Sequence, residues 1–258
     1  MSYSELIVEF QEPLAVITLN RPEKVNALSR RMIRELIQAF GELASRRDVR
    51  AVVLGASGKH FCAGHLLDEM VGRPTVEYQR IFEDCTRMML TIQHLPQPVI
   101  AAVQGVATAA GCQLVAACDL VVAERTARFC TPGVKIGLFC STPAVALVRA
   151  VGRKRALEML LTGRWVHAPE AAEWGLVNRV VEPGKAREAA IELAREIAQA
   201  SGLTLELGKR TFYEQVNQPD PQAYALATRV MALNLAMNDA QEGIRAFLEK
   251  RSPSWSDS

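Results

Sequence analysis

A layered α/β fold is expected from three features of the 258-residue sequence. Short apolar runs of strand type alternate with amphipathic stretches of helical period. The apolar runs carry almost no charge, as parallel strands covered on both faces do. Strand followed by helix followed by strand then implies right-handed crossovers around a common core. With 49% hydrophobic residues the chain has enough apolar surface for one large core.

The elements follow in order. Leu6 to Phe10 and Leu14 to Asn20 read as two strands, with Gln11-Glu12-Pro13 as the turn of a hairpin. A helix starts near Ser29, a candidate N-cap, and places Met32, Ile33, Leu36, Ile37, Phe40 and Leu43 on one face. Ala51 to Leu54 is a buried strand, Gly55 to Gly64 a loop and Tyr78 to His94 a helix. Pro98 to Val103 is a further strand, Ala109 to Ala117 a helix and Asp119 to Ala123 a strand. Ser141 and Thr142 read as the N-cap of a helix with Pro143 at its first position. Arg153 to Thr162 is helical, and a short helix runs from Pro169 to Trp174, with Gly175 at its end. Leu176 to Val181 reads as the last strand. After Lys185 only helices are expected, at Ala186–Ala200, Leu203–Val216, Ala223–Met237 and Gln241–Lys250. Helices without a sheet need a surface to pack on.

Composition excludes several classes of function. A formal net charge of +2 gives no broad field for nucleic acid or an anionic membrane, and the arginines at 30, 31 and 34 are flanked by glutamates. No apolar run reaches the length of a membrane span. Met1 to Glu5 carries no basic region followed by an apolar stretch, so no secretory leader is expected. The six cysteines form no Cys-x-x-Cys pair and the four histidines show no ligand spacing. No metal is therefore expected, and a reducing, cytoplasmic compartment is the simplest home.

Two segments share a signature suited to chemistry. His60-Phe61-Cys62-Ala63-Gly64-His65-Leu66-Leu67-Asp68-Glu69-Met70 and Gln104-Gly105-Val106-Ala107-Thr108-Ala109-Ala110-Gly111-Cys112-Gln113-Leu114 each lead from a strand through small residues towards a helix start. Small residues let main-chain amides approach a ligand, and a helix start offers unpaired N–H groups. Two such turns face to face make a two-donor oxyanion site; the same pattern alone is also what close packing demands.

Those segments, with Leu19-Asn20-Arg21-Pro22, Asn26-Ala27-Leu28, Cys118-Asp119, Gly137-Leu138-Phe139, Leu160-Leu161-Thr162-Gly163, Gly175-Leu176-Val177 and Glu242-Gly243, resemble the crotonase (enoyl-CoA hydratase/isomerase) superfamily over essentially the whole chain. Residues 107–116 and 137–143 are similar to one subgroup, the enoyl-CoA hydratase domain-containing protein 3 type. The resemblance implies a spiral core of ββα units over residues 1–199 and a C-terminal helical region, 200–258, that builds homotrimers or hexamers. It implies an acyl-coenzyme A thioester as the ligand, with coenzyme A part of the substrate and no separate cofactor, in fatty acid metabolism.

Carried over by position, the resemblance assigns the oxyanion donors to the N–H groups of His65 and Ala110. It puts Ala63 and Leu67 beside the adenine end, Gly111 in the second turn, and Ser141 in a loop where relatives place catalytic groups. Phe247 and Lys250 match positions that approach the coenzyme, often from a neighbouring subunit. Two departures stand out. Gln113 and Gly133 occupy the places of the two glutamates that activate water in hydratases of this family. Loss of one positioned acid or base costs ~10²–10⁴-fold in rate, so ordinary hydration is expected to be weak or altered, and an acyl-CoA binder without catalysis is the alternative. Further expectations are a surface or adenine-side place for the His65 ring, solvated charges at Asp68 and Glu69, a packed core thiol at Cys112, and backbone-satisfied hydroxyls at Thr108 and Thr131.

Overall fold

In the computed structural model, which describes residues 3–257, the expected hairpin pairs β1 (Leu6–Gln11) with β2 (Leu14–Leu19), placing Leu6 opposite Leu19. Helix α1 (Arg30–Ala44) starts at its foreseen cap: the Ser29 hydroxyl accepts the Met32 N–H at 3.0 Å. Then follow β3 (Ala51–Ala56), α2 (Thr75–His94) and β4 (Val99–Val103). The second small-residue segment supplies β5 (Val106–Thr108) and α3 (Ala110–Ala117), before β6 (Leu120–Glu124) and β7 (Arg128–Cys130). Next come α4 (Ser141–Val151), α5 (Arg153–Thr162), β8 (Val166–His167), α6 (Ala168–Trp174) and β9 (Arg179–Val181). Helices α7 (Ala186–Ile197), α8 (Gly202–Gln215), α9 (Asp220–Ala236) and α10 (Asn238–Glu249) complete the chain.

The main sheet has the order β1-β2-β3-β4-β6-β9 and is parallel apart from the hairpin. Side-chain alternation divides it into two cores. Ile17, Leu19, Val52, Leu54, Ala101 and Val103 face α1, α2 and α3. Leu14, Val16, Val53, Ile100, Ala102 and Val122 face Ala190, Leu193 and Ala194 of α7. Both faces are apolar, which is why the strands read as runs rather than as alternation.

The structure corrects four readings. Helix α4 begins at Ser141, two residues ahead of the expected start, so Ser141 and Thr142 lie inside the first turn instead of capping it. The stretch at Leu176 is a strand only from Arg179, because Leu176 and Val177 are taken up by closing α6: both N–H groups donate to Ala171 O. Strands β5, β7 and β8 form a second, three-stranded sheet that the sequence pattern did not announce, since strands of two or three residues show no period. The first small-residue segment enters only a 3-10 turn, Leu67–Glu69, rather than a helix.

The C-terminal helices divide in two. Helix α8 is bound to the core: Lys209 donates to Asp119 Oδ2 at 2.6 Å and to two main-chain oxygens, and the Tyr213 hydroxyl donates to Asp119 Oδ1 at 2.8 Å. Burial lowers the Lys209 pKa and the Asp119 charge opposes that shift. Helix α9 has no buried side chain in the single chain, although Tyr224, Met231, Leu233 and Leu235 lie along it. No helix among the described residues is long and apolar enough to cross a membrane.

Candidate active site

The two small-residue turns are pressed together through their main chains. Thr108 N donates to Cys62 O at 2.9 Å, and the Thr108 hydroxyl donates to Ala63 O at 2.9 Å. Gly64 sits at φ +88, and a β-carbon there would lie 2.9 Å from Thr108 O and 3.2 Å from Ala110 N. A β-carbon on Gly111 would lie 2.3 Å from Cys62 O. Side chains at either place would force the turns apart, so these glycines are what allows residues 62–65 and 108–111 to adjoin.

Within this contact two N–H groups are left over. On the first turn, Gly64 O accepts Leu28 N–H at 2.7 Å and Leu66 N–H donates to Leu28 O at 3.1 Å, while the His65 N–H between them donates to nothing among the described residues. On the second, Ala109 N–H donates to Cys130 O, and Gln113 N–H donates to Ala109 O as the helix begins. The Ala110 N–H, at the head of α3, has no acceptor among the described residues. Ala109 holds φ 49 and ψ −117. A residue with a β-carbon pays ~1–3 kcal/mol for such a conformation, a strain common at functional turns.

Both residues border a cavity of about 500 Å³. Ala63, Leu67, Gly133 and Ser141 also lie on its wall. Phe82, Met70, Lys135, Ile136, Leu138 and Phe139 line it too and were not picked out as site residues from the sequence. The one signal that could have found part of this group is an apolar cluster in a turn: Ile136, Leu138 and Phe139 are all exposed. Larger hollows of about 630 and 560 Å³ lie along α2 and between α8 and α9, away from both free amides.

Four of the expected residues are not on the wall. Gly111 is buried behind it against Cys62, where its role is to let the turns close. Gln113 is buried one turn into α3, and its Oε1 has no partner. Phe247 and Lys250, on and just after α10, are exposed and contribute nothing to this cavity within one chain.

Three side chains differ from their sequence reading. Of the two places expected for the His65 ring, the open surface is not the one it takes: the half-buried residue packs its ring edge-on against Phe82 at 5.5 Å, its Nε2 is buried without a partner among the described residues, and burial pushes its pKa down to about 4. It is neutral at pH 7. Glu69 is not merely solvated, since its carboxylate accepts the Arg30 N–H at 2.8 Å at the start of α1, a place where negative charge is favoured. The Thr131 hydroxyl is fully buried with no acceptor or donor, whereas that of Thr108 is satisfied by main chain as expected. Asp68 remains at the surface, 3.9 Å from Lys24. Cys112 is the packed thiol foreseen, its pKa raised by burial.

The family model for enoyl-CoA hydratase/isomerase matches residues 9–258. The chain belongs to that family. A rat protein named enoyl-CoA hydratase domain-containing protein 3, mitochondrial, is 45% identical over 247 residues, spanning 95% of this chain and 82% of its own. The crystal structure of an enoyl-CoA hydratase from Mycobacterium smegmatis superposes with a TM-score of 0.95 at 51% identity, covering 98% of this chain and 99% of that one. The human domain-containing protein 3 superposes at 0.94 with 44% identity, over 98% and 100% of the two chains. The fold is thus the crotonase α/β fold with its C-terminal helices.

The cavity wall carries few ionisable groups. Its ionisable members are His65, Lys135 and Cys140, and it contains no aspartate or glutamate. At Gly133 the main chain has closed over the place of a side chain: a β-carbon would lie 2.3 Å from Leu138 O and 2.7 Å from Cys140 Sγ.

Proposed function

We propose that the cavity holds the thioester end of an acyl-coenzyme A, with the N–H groups of His65 and Ala110 sharing its carbonyl oxygen. The observation that carries this reading is the pair of uncommitted amides on adjoining turns at one cavity. Donors already aimed where negative charge develops stabilise an enolate or tetrahedral oxyanion without reorganisation. Main-chain donors survive changes of side chain, so this function is compatible with His65 and Ala110 as they stand. Proton transfer is the altered part. With no carboxylate on the wall, addition of water to an enoyl thioester is expected to run ~10²–10⁴-fold below that of a relative with a positioned acid.

The test is a steady-state assay with crotonyl-CoA and longer enoyl-CoAs. Slow but saturable turnover above a coenzyme A blank supports an enzyme of the hydratase/isomerase type acting on acyl-CoA, in fatty acid metabolism. Absence of turnover across a panel of thioesters removes the enzyme reading. A second reading, an acyl-CoA binding protein without catalysis, is favoured by the acid-free wall; calorimetric titration giving binding without turnover selects it.

The same proposal includes assembly. Helix α9, apolar and without a fully buried side chain, together with exposed Phe247 and Leu248 on α10, needs a covering surface. A homotrimer, or two trimers as a hexamer, supplies it and brings Phe247 and Lys250 towards a neighbour's coenzyme. Light scattering on the purified protein checks this, and a monomer at micromolar concentration sinks it. No cofactor besides the substrate's own coenzyme A enters the scheme. The six unpaired thiols accord with a cytoplasmic setting, which fractionation of cells tests directly.

A further inference from the structure

The charge on the cavity wall is concentrated in one residue. Of the ionisable groups there, His65 is neutral near pH 7, and burial raises the pKa of the Cys140 thiol, so Cys140 also carries no charge there. Lys135, on the 3-10 turn Pro132–Ile136, is the fixed charge that remains. Arg164, by contrast, is held between Glu158 and Glu170. Lys135 forms neither an ion pair nor a hydrogen bond among the described residues.

Its stem is nevertheless seated. A β-carbon on Gly163 would come 3.1 Å from Lys135 Cε and 3.5 Å from Cδ, so the lysine chain crosses Gly163 where only a glycine leaves room. A second cation stands nearby in the small sheet: the Arg128 guanidinium stacks over the Trp165 ring at 4.5 Å and likewise has no acidic partner. Burial pushes the Cys130 thiol up to about 12, and the charges of both Lys135 and Arg128 pull the other way, which puts the two cations around one buried residue. The rest of the wall facing this point is apolar, including Ile136, Leu138 and Phe139.

An unpaired ammonium at the edge of an apolar, acid-free cavity gains most from a ligand that brings its own anion, because the pair forms where water is partly displaced. We infer that the site selects acyl-CoA thioesters whose acyl group ends in a carboxylate, and that Lys135 is the residue that sets this preference. The inference rests on the reading of the cavity as an acyl-CoA site and narrows its substrate class. The carboxylate missing from the protein's own wall would then be carried by the ligand, as a recognition group rather than as a catalyst.

Matched ligands test it. Glutaryl-CoA and valeryl-CoA have the same chain length and differ in ending in a carboxylate or a methyl group. Calorimetric titration of the full-length protein is expected to give about tenfold tighter binding of glutaryl-CoA, a preference that fades with added salt. Lys135→Met is expected to abolish the preference while leaving valeryl-CoA unchanged, and Lys135→Arg to retain it. Equal binding of the two ligands by the unaltered protein overturns the inference and leaves the acyl-CoA reading intact. So does a Lys135→Met variant that weakens glutaryl-CoA, valeryl-CoA and coenzyme A alone to the same degree, since Lys135 would then serve the coenzyme phosphates. Failure of all three to bind removes the acyl-CoA reading itself. The exposed position of Lys135 makes misfolding an inadequate explanation, and an unchanged thermal midpoint verifies that.

Discussion

The two portions of the cavity wall are built from the same residue type to opposite ends. At residues 62–65 and 108–111, Gly64 and Gly111 bring two main chains together and leave two N–H groups uncommitted. At residues 132–143, Gly133 lets the Leu138 carbonyl and the Cys140 sulfur occupy the space a side chain would need. The first region keeps its chemistry in the backbone, so it tolerates alanines at 109 and 110. The second offers no room for a side chain at 133. Close approach of main chains thus leaves free donors in one region and excludes a side chain in the other.

The largest effect should come from the support of the donor region. Asp119 follows α3 directly and is held by Lys209, whose side chain is only 7% exposed. Lys209→Met leaves that carboxylate without its cation and is expected to lower stability by ~3–5 kcal/mol in urea unfolding. A loss below 1 kcal/mol would mean that α8 does not brace the turns.

Acid should act next, through His65. Its pKa falls from 6.5 to about 4 on folding, so between those values the unfolded chain binds more protons than the folded one. The stabilising contribution is complete above pH 6.5 and is lost as pH drops towards 4, reaching ~3 kcal/mol at most. Between pH 6.5 and pH 4 the stability of the unaltered protein should fall more steeply than that of His65→Phe, which lacks the titrating ring. Parallel curves would show that the buried ring does not titrate.

Substituting the glycines separates the two regions more finely. Gly111→Ala forces a carbon onto the Cys62 carbonyl and should cost roughly 1–3 kcal/mol together with acyl-CoA affinity, as Ala110 N–H is displaced. Gly137→Ala meets no atom within 4 Å and carries only the strain of φ +77. It should cost about 1 kcal/mol and spare affinity. If both variants bind equally well, the close approach of the turns is not what positions the donors.

The smallest change in activity is expected where a simple restoration is attempted. Gly133→Glu should leave crotonyl-CoA hydration where it was, because the backbone at 133 has no room for the side chain. A rise of ~10²-fold, the worth of one positioned carboxylate, would show that the 132–140 turn reopens readily and that its closure is not a barrier.

Much of this was legible along the chain. Ser29 followed by apolar residues at helical spacing announced α1, and runs such as Ala51 to Leu54 announced strands with both faces covered. The small-residue turns marked the two segments, and the family resemblance assigned the donors to His65 and Ala110 and the places of the two glutamates to Gln113 and Gly133. The β5-β7-β8 sheet and the true start of α4 were not legible, since strands of two or three residues carry no period and Pro143 fits the first turn as well as the first position. Lys135 and Phe82 gave no local sign of sharing a wall with His65.

What the sequence determined alone is therefore whatever depends on neighbours along the chain: periodicity, caps, small residues at turns, and which chemical groups exist at all. Tertiary structure decided everything that depends on distance between segments. It left the His65 and Ala110 amides unpaired by committing the groups around them, drove the His65 ring out of water against Phe82, and closed the chain over Gly133. A free N–H, a depressed pKa and a missing volume are properties of surroundings, and those surroundings come from residues tens of positions away.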